Sequence, residues 1–525
     1  MMSQGRTGEM ALISASTSAD AGHGSTGDLR QKFTVSYVAQ VIGQLFGAVT
    51  GIVVARLVGP KVMGVLAFGL SYVAVWSPMS DLGLSTSHIK FVSGNHDAAA
   101  CSGVFARMKV ALSLLFVLYM VSLYLVQNRV VKPGSLSPEV SLVIFISIGI
   151  CLVESLANIP KATFIARTER AKIDTVFLGQ QTLAKSLRVV VAFLGMGAVA
   201  LSATNLIAGV LGATALWALF RNQRFGGWDA QLARGYVGIA VPAVAMDGLS
   251  ALSQNSDRLL LGYLAGTEQV GYYSVVFGIS IFLQMVGTTI SGIYFPLFSR
   301  LIAEARWDEI VSRARQYTEM CNAFLAPSAL IAMVGAPTLL PLILGKKYLA
   351  SCPVMSVVLV GVYFNLLAQP FGSILVGAGR FWKMARIQLC CFLVLAATEY
   401  LLVSPRWLNL GAVGAALAFV TANVTLKVLL QRGANEVLGR AIRGDRILPY
   451  LVVWGGLNYL MYRAWWSHLP VGAFLAYVPV FFALTYGAMA AAGLVNKERL
   501  LMIVSPVGFA DALSYVRREL RGKQP

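Results

Sequence analysis

Charge is what this sequence is shortest of. Only 12% of its 525 residues are Asp, Glu, Lys or Arg, against 57% hydrophobic, whereas a soluble chain is roughly a quarter charged. That deficit leaves too little polar surface to cover a globule of this size and excludes an ordinary soluble enzyme. The six cysteines, Cys101, Cys151, Cys321, Cys352, Cys390 and Cys391, have no metal-ligand spacing. Most lie inside apolar runs, where a thiol acts as a small buried hydrophobe. The four histidines (His23, His88, His96 and His468) form no cluster, and there is no HExxH, GxSxG or GKS/T loop. These absences leave no catalytic residue, no metal ligand and no cofactor to nominate.

Apolar blocks fill the space instead. Leu112–Val126, Val140–Val153, Tyr450–Met461 and Val471–Leu494 are near-continuous, and runs of about 20 such residues suit a helix crossing a hydrocarbon core of about 30 Å. The alternating segments of an outer-membrane barrel are missing. The chain therefore reads as an all-α polytopic membrane protein of about 14 transmembrane helices. They are predicted near 33–56, 62–85, 105–127, 139–160, 174–198, 201–220, 236–263, 268–297, 318–343, 353–377, 385–404, 408–431, 447–466 and 470–494. Residues 1–30, rich in Ser, Gly and Thr, read as a disordered cytoplasmic tail rather than a signal peptide.

The net charge of +19 would point a soluble protein toward nucleic acid. Here it is a topology signal. Lys90, Arg107 and Lys109 follow the second helix, and Lys161, Arg167, Arg170 and Lys172 follow the fourth. Arg221, Arg224 and Arg234 follow the sixth, and Arg300, Arg306, Arg313 and Arg315 the eighth. Arg380, Lys383 and Arg386 follow the tenth, and Arg432, Arg440, Arg443 and Arg446 the twelfth. The opposite side carries only Arg56, Lys61, Arg129, Lys132, Lys346, Lys347 and Arg406. The positive-inside rule puts both termini in the cytoplasm of a multi-pass inner-membrane protein and requires no nucleic-acid partner.

Two segments match at a fixed offset. Leu57-Val58-Gly59-Pro60-Lys61-Val62-Met63-Gly64 resembles Leu264-Ala265-Gly266-Thr267-Glu268-Gln269-Val270-Gly271, 207 residues further on. Pro160 with Arg170 matches Pro370 with Arg380 at 210. Such an offset covers six helices, an even number, so both copies have one orientation. The expected organisation is a tail (1–30), an N-lobe of six helices (31–225), a parallel C-lobe of six (226–435), two further helices (436–496) and a basic cytoplasmic tail (497–525). Parallel repeats with a site between them are a transporter architecture. Gly59 and Gly266 suit a tight turn with φ > 0. Gly64 and Gly271 suit a helix starting close against its neighbour, and all four are repeat turn or hinge candidates.

A charge at mid-membrane costs at least about 2.5–3.5 kcal/mol and needs a reason. Lys185 and Arg188 fall about 16 and 21 Å into the fifth helix and, at i, i+3, share a face. They are candidates to hold a diphosphate, or to pair with Glu154 or Asp247. Asp247, about 16 Å into the seventh helix, is the leading candidate for a coupling ion, with Glu154 second. Asn255, Asp257 and Arg258, near the outer end of that helix, are candidates for sugar contact or gating. Asp81, ending the second helix, caps or gates. Arg56 at the outer mouth reads as a snorkelling residue. Pro242 marks a bend. The 301–315 segment alternates apolar and charged residues and reads as an amphipathic helix on the inner leaflet.

Several of these runs carry a family resemblance. Ala55-Arg56-Leu57-Val58-Gly59-Pro60, Met63-Gly64-Val65-Leu66-Ala67 and Ser80-Asp81-Leu82-Gly83-Leu84 resemble the opening of the polysaccharide transporter family. Asp257-Arg258-Leu259-Leu260-Leu261-Gly262, Gly271-Tyr272-Tyr273-Ser274 and Phe295-Pro296-Leu297-Phe298-Ser299-Arg300 resemble the start of its second lobe. Ile374-Leu375-Val376-Gly377-Ala378-Gly379-Arg380 resembles its loop after the tenth helix. The likeness spans roughly residues 30–435. It implies a member of the multidrug/oligosaccharidyl-lipid/polysaccharide exporter superfamily. Such a protein flips undecaprenyl-diphosphate-linked oligosaccharide units between leaflets, for O-antigen or exopolysaccharide synthesis. The implied partners are that lipid-linked oligosaccharide, membrane lipid and the polysaccharide polymerase machinery. The alternatives are a drug or metabolite antiporter and a lipid II flippase of the same superfamily. A polysaccharide polymerase is disfavoured because every outer loop is short.

Overall fold

A computed structural model describes residues 46–442 apart from 95, 132 and 135, residues 471–491, and the isolated residues 43, 455, 456, 459 and 460. Within helices, 239–247, 281–282, 285–293, 295–296 and a few other positions are described by backbone alone. The predicted thirteenth helix, both tails and the start of the first helix lie outside the described residues.

Among the described residues there are fifteen α-helices and no strand. They are α1 (Phe46–Val58), α2 (Pro60–Ala74), α3 (Leu84–Ser93), α4 (Ala98–Val126), α5 (Pro138–Ala166), α6 (Arg170–Phe193), α7 (Ala198–Phe220), α8 (Ala230–Ala265), α9 (Thr267–Ala303), α10 (Trp307–Met320), α11 (Ala326–Leu344), α12 (Ser351–Gly377), α13 (Phe381–Val403), α14 (Gly411–Leu438) and α15 (Val471–Ala491). Seven of them are long and apolar enough to cross a membrane, and shorter apolar helices accompany them. The protein is an all-helical, multi-pass membrane protein.

The predicted second helix, 62–85, is two helices. After α2 the chain takes a 3-10 turn at Ser77–Ser80, and Leu82 and Gly83 take positive φ of 43° and 73°, which ends the run. Asp81 sits in this break and holds it. Its carboxylate accepts from the Ser85 hydroxyl at 2.5 Å and pairs with the ammonium of Lys109. That ammonium also donates to the Ser80 carbonyl at 3.0 Å. Lys109, counted in sequence among the cytoplasmic-side charges, is a fully buried partner inside α4, which begins at Ala98, seven residues before the predicted start.

Gly59, Gly266 and Gly345 take nearly the same left-handed backbone, with φ of 84°, 88° and 90°. Each turns the chain at the weakly charged end of the bundle. At Gly64 and Gly271 the missing side chains matter more. A Cβ on Gly64 would overlap the Thr267 carbonyl, and one on Gly271 would overlap the Pro60 carbonyl. The neighbour each glycine admits is the matching turn of the other segment, and α2 packs along α9. Bonds around this contact reinforce it. The exposed Arg56 guanidinium donates to the Leu342 carbonyl at 2.9 Å and to that of Ile343 at 3.3 Å, covering C-terminal carbonyls of α11. The Tyr348 hydroxyl donates to the Ala55 carbonyl at 3.1 Å.

At the basic end, α8 starts against the first helices. His88 is fully buried, with Nδ1 2.8 Å from the Tyr236 hydroxyl and Nε2 2.8 Å from that of Thr163. The amphipathic helix is present as α10, but its apolar face meets protein. Ile310 and Ala314 are buried with Phe298, Leu301 and Phe371, and the buried Tyr317 donates its hydroxyl to the Leu366 carbonyl at 2.8 Å.

The glycine contact generates a prediction. Gly64→Ala and Gly271→Ala each lower the melting temperature of the detergent-solubilised protein by several degrees. Gly179→Ala, in open space on α6, leaves it unchanged or slightly raised, since alanine is the better helix former by about 1 kcal/mol.

Candidate functional site

Behind the α2–α9 contact lies a cavity of 1120 Å³. Its walls come from α2, α8, α9, α12, α13 and α14. The lining runs from Ala67 and Leu70 to Val376 and Met384, beside the basic turn at Arg380. Asn365, Gln369 and Ser373 point into it from α12 at four-residue spacing, one face of one helix. Asn423 faces them from α14, Gln388 from α13, and Gln254 and Asn255 from α8. The amides form a ladder: Asn365 Nδ2 donates to Asn423 Oδ1 at 2.8 Å, and Gln369 Nε2 donates to Asn365 Oδ1 at 3.3 Å. Asn423 Nδ2 is spent on the Phe419 carbonyl at 2.8 Å.

Three polar atoms of lining residues are buried with no hydrogen-bond partner: Gln388 Oε1, Ser274 Oγ and Arg258 Nε. An orphan of this kind costs about 1–3 kcal/mol, so the wall is chemically incomplete. Arg258 lies with its guanidinium over the Phe277 ring, 5.1 Å from the centroid.

A second feature sits behind the α8 wall. Asp257 is 3% exposed. One carboxyl oxygen accepts from the Arg258 backbone at 2.8 Å and the other from the Tyr273 hydroxyl at 2.7 Å. The Asp257 and Arg258 side chains do not pair. Glu399, from α13, is fully buried, and no hydrogen bond of good geometry reaches either of its carboxyl oxygens. The Leu261 backbone approaches without completing one, and the Asp257 carboxylate is near enough to repel it. A carboxyl group buried without a hydrogen-bond donor, as Glu399 is, is sustainable only when a proton or a cation offsets its charge.

Of the residues predicted from sequence, the cavity gathers Asn255, Asp257 and Arg258. It does not gather Lys185 or Arg188. Lys185 lies against α1 at Gly47, where a Cβ would stand 2.8 Å from Nζ, and Arg188 keeps a buried Nε without a partner on the same helix. Glu154 is exposed on α5, and Asp81 is bound to Lys109. The Asp247 side chain lies outside the described residues. Sequence reasoning missed Glu399, a lone carboxylate in the apolar run of α13, and the amides of α12, although their four-residue spacing is legible.

Comparison with known proteins places the chain in context. The model of a family described as "polysaccharide biosynthesis protein" matches residues 53–353. The chain is 26% identical over 143 residues to the teichuronic acid biosynthesis protein TuaB of Bacillus subtilis (strain 168), covering 25% of this chain and 27% of the relative. It is 22% identical over 177 residues to the capsular polysaccharide biosynthesis protein CapF of Staphylococcus aureus, covering 33% and 44%. These matches span less than half the length of either relative. Among solved structures, the lipid II flippase MurJ in an inward closed conformation aligns with a TM-score of 0.66 at 10% identity, over 87% of this chain and 100% of that one. A multidrug resistance MATE family transporter in an inward-facing conformation aligns with a TM-score of 0.62 at 13% identity, over 76% and 94%. At these identities the likeness concerns the fold.

The Tyr273–Asp257 bond yields a prediction. Tyr273→Phe lowers unfolding stability by about 1–3 kcal/mol, read by thermal denaturation. The same change has little effect in an Asp257→Leu background, where the partner is already gone.

Proposed function

The chain belongs to the polysaccharide biosynthesis protein family of membrane transporters, and we propose that it flips undecaprenyl-diphosphate-linked oligosaccharide units across a bacterial inner membrane by alternating access. The observation that carries the proposal is the amide-lined cavity in the superfamily's fold. A drug exporter favours cationic and aromatic cargo. The polar lining here is instead predominantly uncharged hydrogen-bonding side chains, which suits a hydroxyl-rich cargo.

In this reading residues 31–225 and 226–435 are two parallel lobes that rock about the central cavity, with residues 436–496 as accessory helices. Gly59, Gly64, Gly266 and Gly271 form the outer seam between the lobes. With that seam closed and the cavity reaching the basic end, the molecule is in its cytoplasm-facing state. Both termini then lie in the cytoplasm. Asn255 and Arg258 contact the glycan. Lys185 and Arg188, on the other lobe, meet the diphosphate, where a guanidinium fork and an ammonium are the matching chemistry. Asp257 with Glu399 is the coupling site for a proton or monovalent cation. Asp247 and Glu154 are reserve candidates on the same path, and Asp81 anchors the inner end of α2. Surface-polysaccharide polymerase is the downstream partner.

The test is where lipid-linked oligosaccharide collects in a deletion strain. Intact units are expected on the cytoplasmic leaflet, cleared by the restored gene but not by a Lys185→Ala, Arg188→Ala double variant that inserts normally. Units already flipped and left unpolymerised would overturn the proposal, and normal polymer from the double variant would remove both cations from it.

A further inference from the structure

Resting on the proposed function, we infer that the cavity reads the glycan and is built for an electrically neutral saccharide, whose hydroxyl and N-acetyl groups are met by Gln254, Asn255, Asn365, Gln369, Gln388 and Asn423. Each of these side chains offers both a donor and an acceptor. A sugar hydroxyl offers the same pair, so a ring of amides can meet a ring of hydroxyls with every group satisfied. An N-acetyl group is itself an amide and joins the same pattern.

The electrostatics favour a neutral cargo. Among the described lining residues the charged groups are Asp257 and Arg258. Asp257 already has the Tyr273 hydroxyl, and Glu399 is buried close behind it. A uronic acid or a phosphorylated sugar brought to this wall would find a single guanidinium, Arg258, among the described lining residues, with the Asp257 carboxyl next to it in the chain. The carrier's diphosphate therefore has poor chemistry in this cavity, and the cations proposed for it stand on α6.

The orphaned atoms give the cavity its polarity requirements. Gln388 Oε1 lacks a donor, Arg258 Nε lacks an acceptor, and the Ser274 hydroxyl lacks both. A hydroxyl-bearing ligand answers needs of both kinds, since each hydroxyl donates and accepts. The Asn365–Asn423–Gln369 ladder holds its amides in place before the ligand arrives, which limits the ordering cost of binding. The volume of 1120 Å³ exceeds the roughly 300–1,000 Å³ of a site for one small molecule, as an oligosaccharide needs.

The experiment is to purify the lipid-linked oligosaccharide that accumulates in a deletion strain and determine its glycan by mass spectrometry, then to measure clearance of that same lipid by variants. The expected glycan carries no carboxylate, phosphate or sulfate on its sugars. Asn365→Leu and Gln369→Leu are each expected to slow clearance at least about 10-fold, the effect of losing one or two well-formed hydrogen bonds. Should the leucine variants fail to fold, Gln369→Glu, isosteric and anionic, is expected to slow it as much. An acidic glycan, or amide variants that clear it at the wild-type rate, would overturn this inference while leaving the flippase intact. Failure of any lipid-linked oligosaccharide to accumulate would overturn the flippase itself.

Discussion

Backbone touching backbone at Gly64 and Gly271 is the contact on which the rest depends. Any side chain at either position would strike a carbonyl of the opposite turn, so α2 and α9 approach only because both residues are glycine. Membrane helices gain little from burying apolar surface against one another, since lipid is equally apolar. Close approach and dispersion take over that role. The cation and hydroxyl bonds of Arg56 and Tyr348 reach across at the same level. The cavity is walled by α2 and α9 together with α8, α12, α13 and α14.

Polar groups in such a cavity are sustainable because they satisfy one another or await a ligand. The amide ladder does the first, while Gln388, Ser274 and Arg258 do the second. Most of the polar lining is amide and hydroxyl, with Asp257 and Arg258 as its charged members among the described residues. Glu399 is buried and not among that lining, and Lys185 and Arg188 stand on α6.

Much of this was legible in the sequence, for stated reasons. Apolar blocks and loop charges set the helix order, and the Gly59/Gly266 match located both turns because only glycine tolerates their φ. What the two inner glycines touch was not legible, since the repeat says that the turns are alike and not that they dock. Lys109 was counted only as a cytoplasmic-side charge because nothing in the sequence shows that Asp81, 28 residues earlier, folds back to meet it; the start of α4 was placed late because Asp97, which caps it, was overlooked. The bond of Arg56 to the end of α11 was not legible, because nothing in the sequence places the Leu342 carbonyl beside it. Asn255 and Arg258 were nominated as polar residues near the outer end of an apolar helix, and both line the cavity. Asn365, Gln369 and Glu399 were passed over because uncharged or solitary polar residues carry a weaker signal than paired charges.

The central claim is that the α2–α9 contact opens and closes during transport. It is tested most directly by a cysteine pair, one on α2 and one on α9 flanking Gly64 and Gly271, in a protein whose six native cysteines have been replaced. Oxidation to a disulfide should stop clearance of lipid-linked oligosaccharide, and reduction should restore it. Transport at an undiminished rate with the pair quantitatively cross-linked would contradict the account.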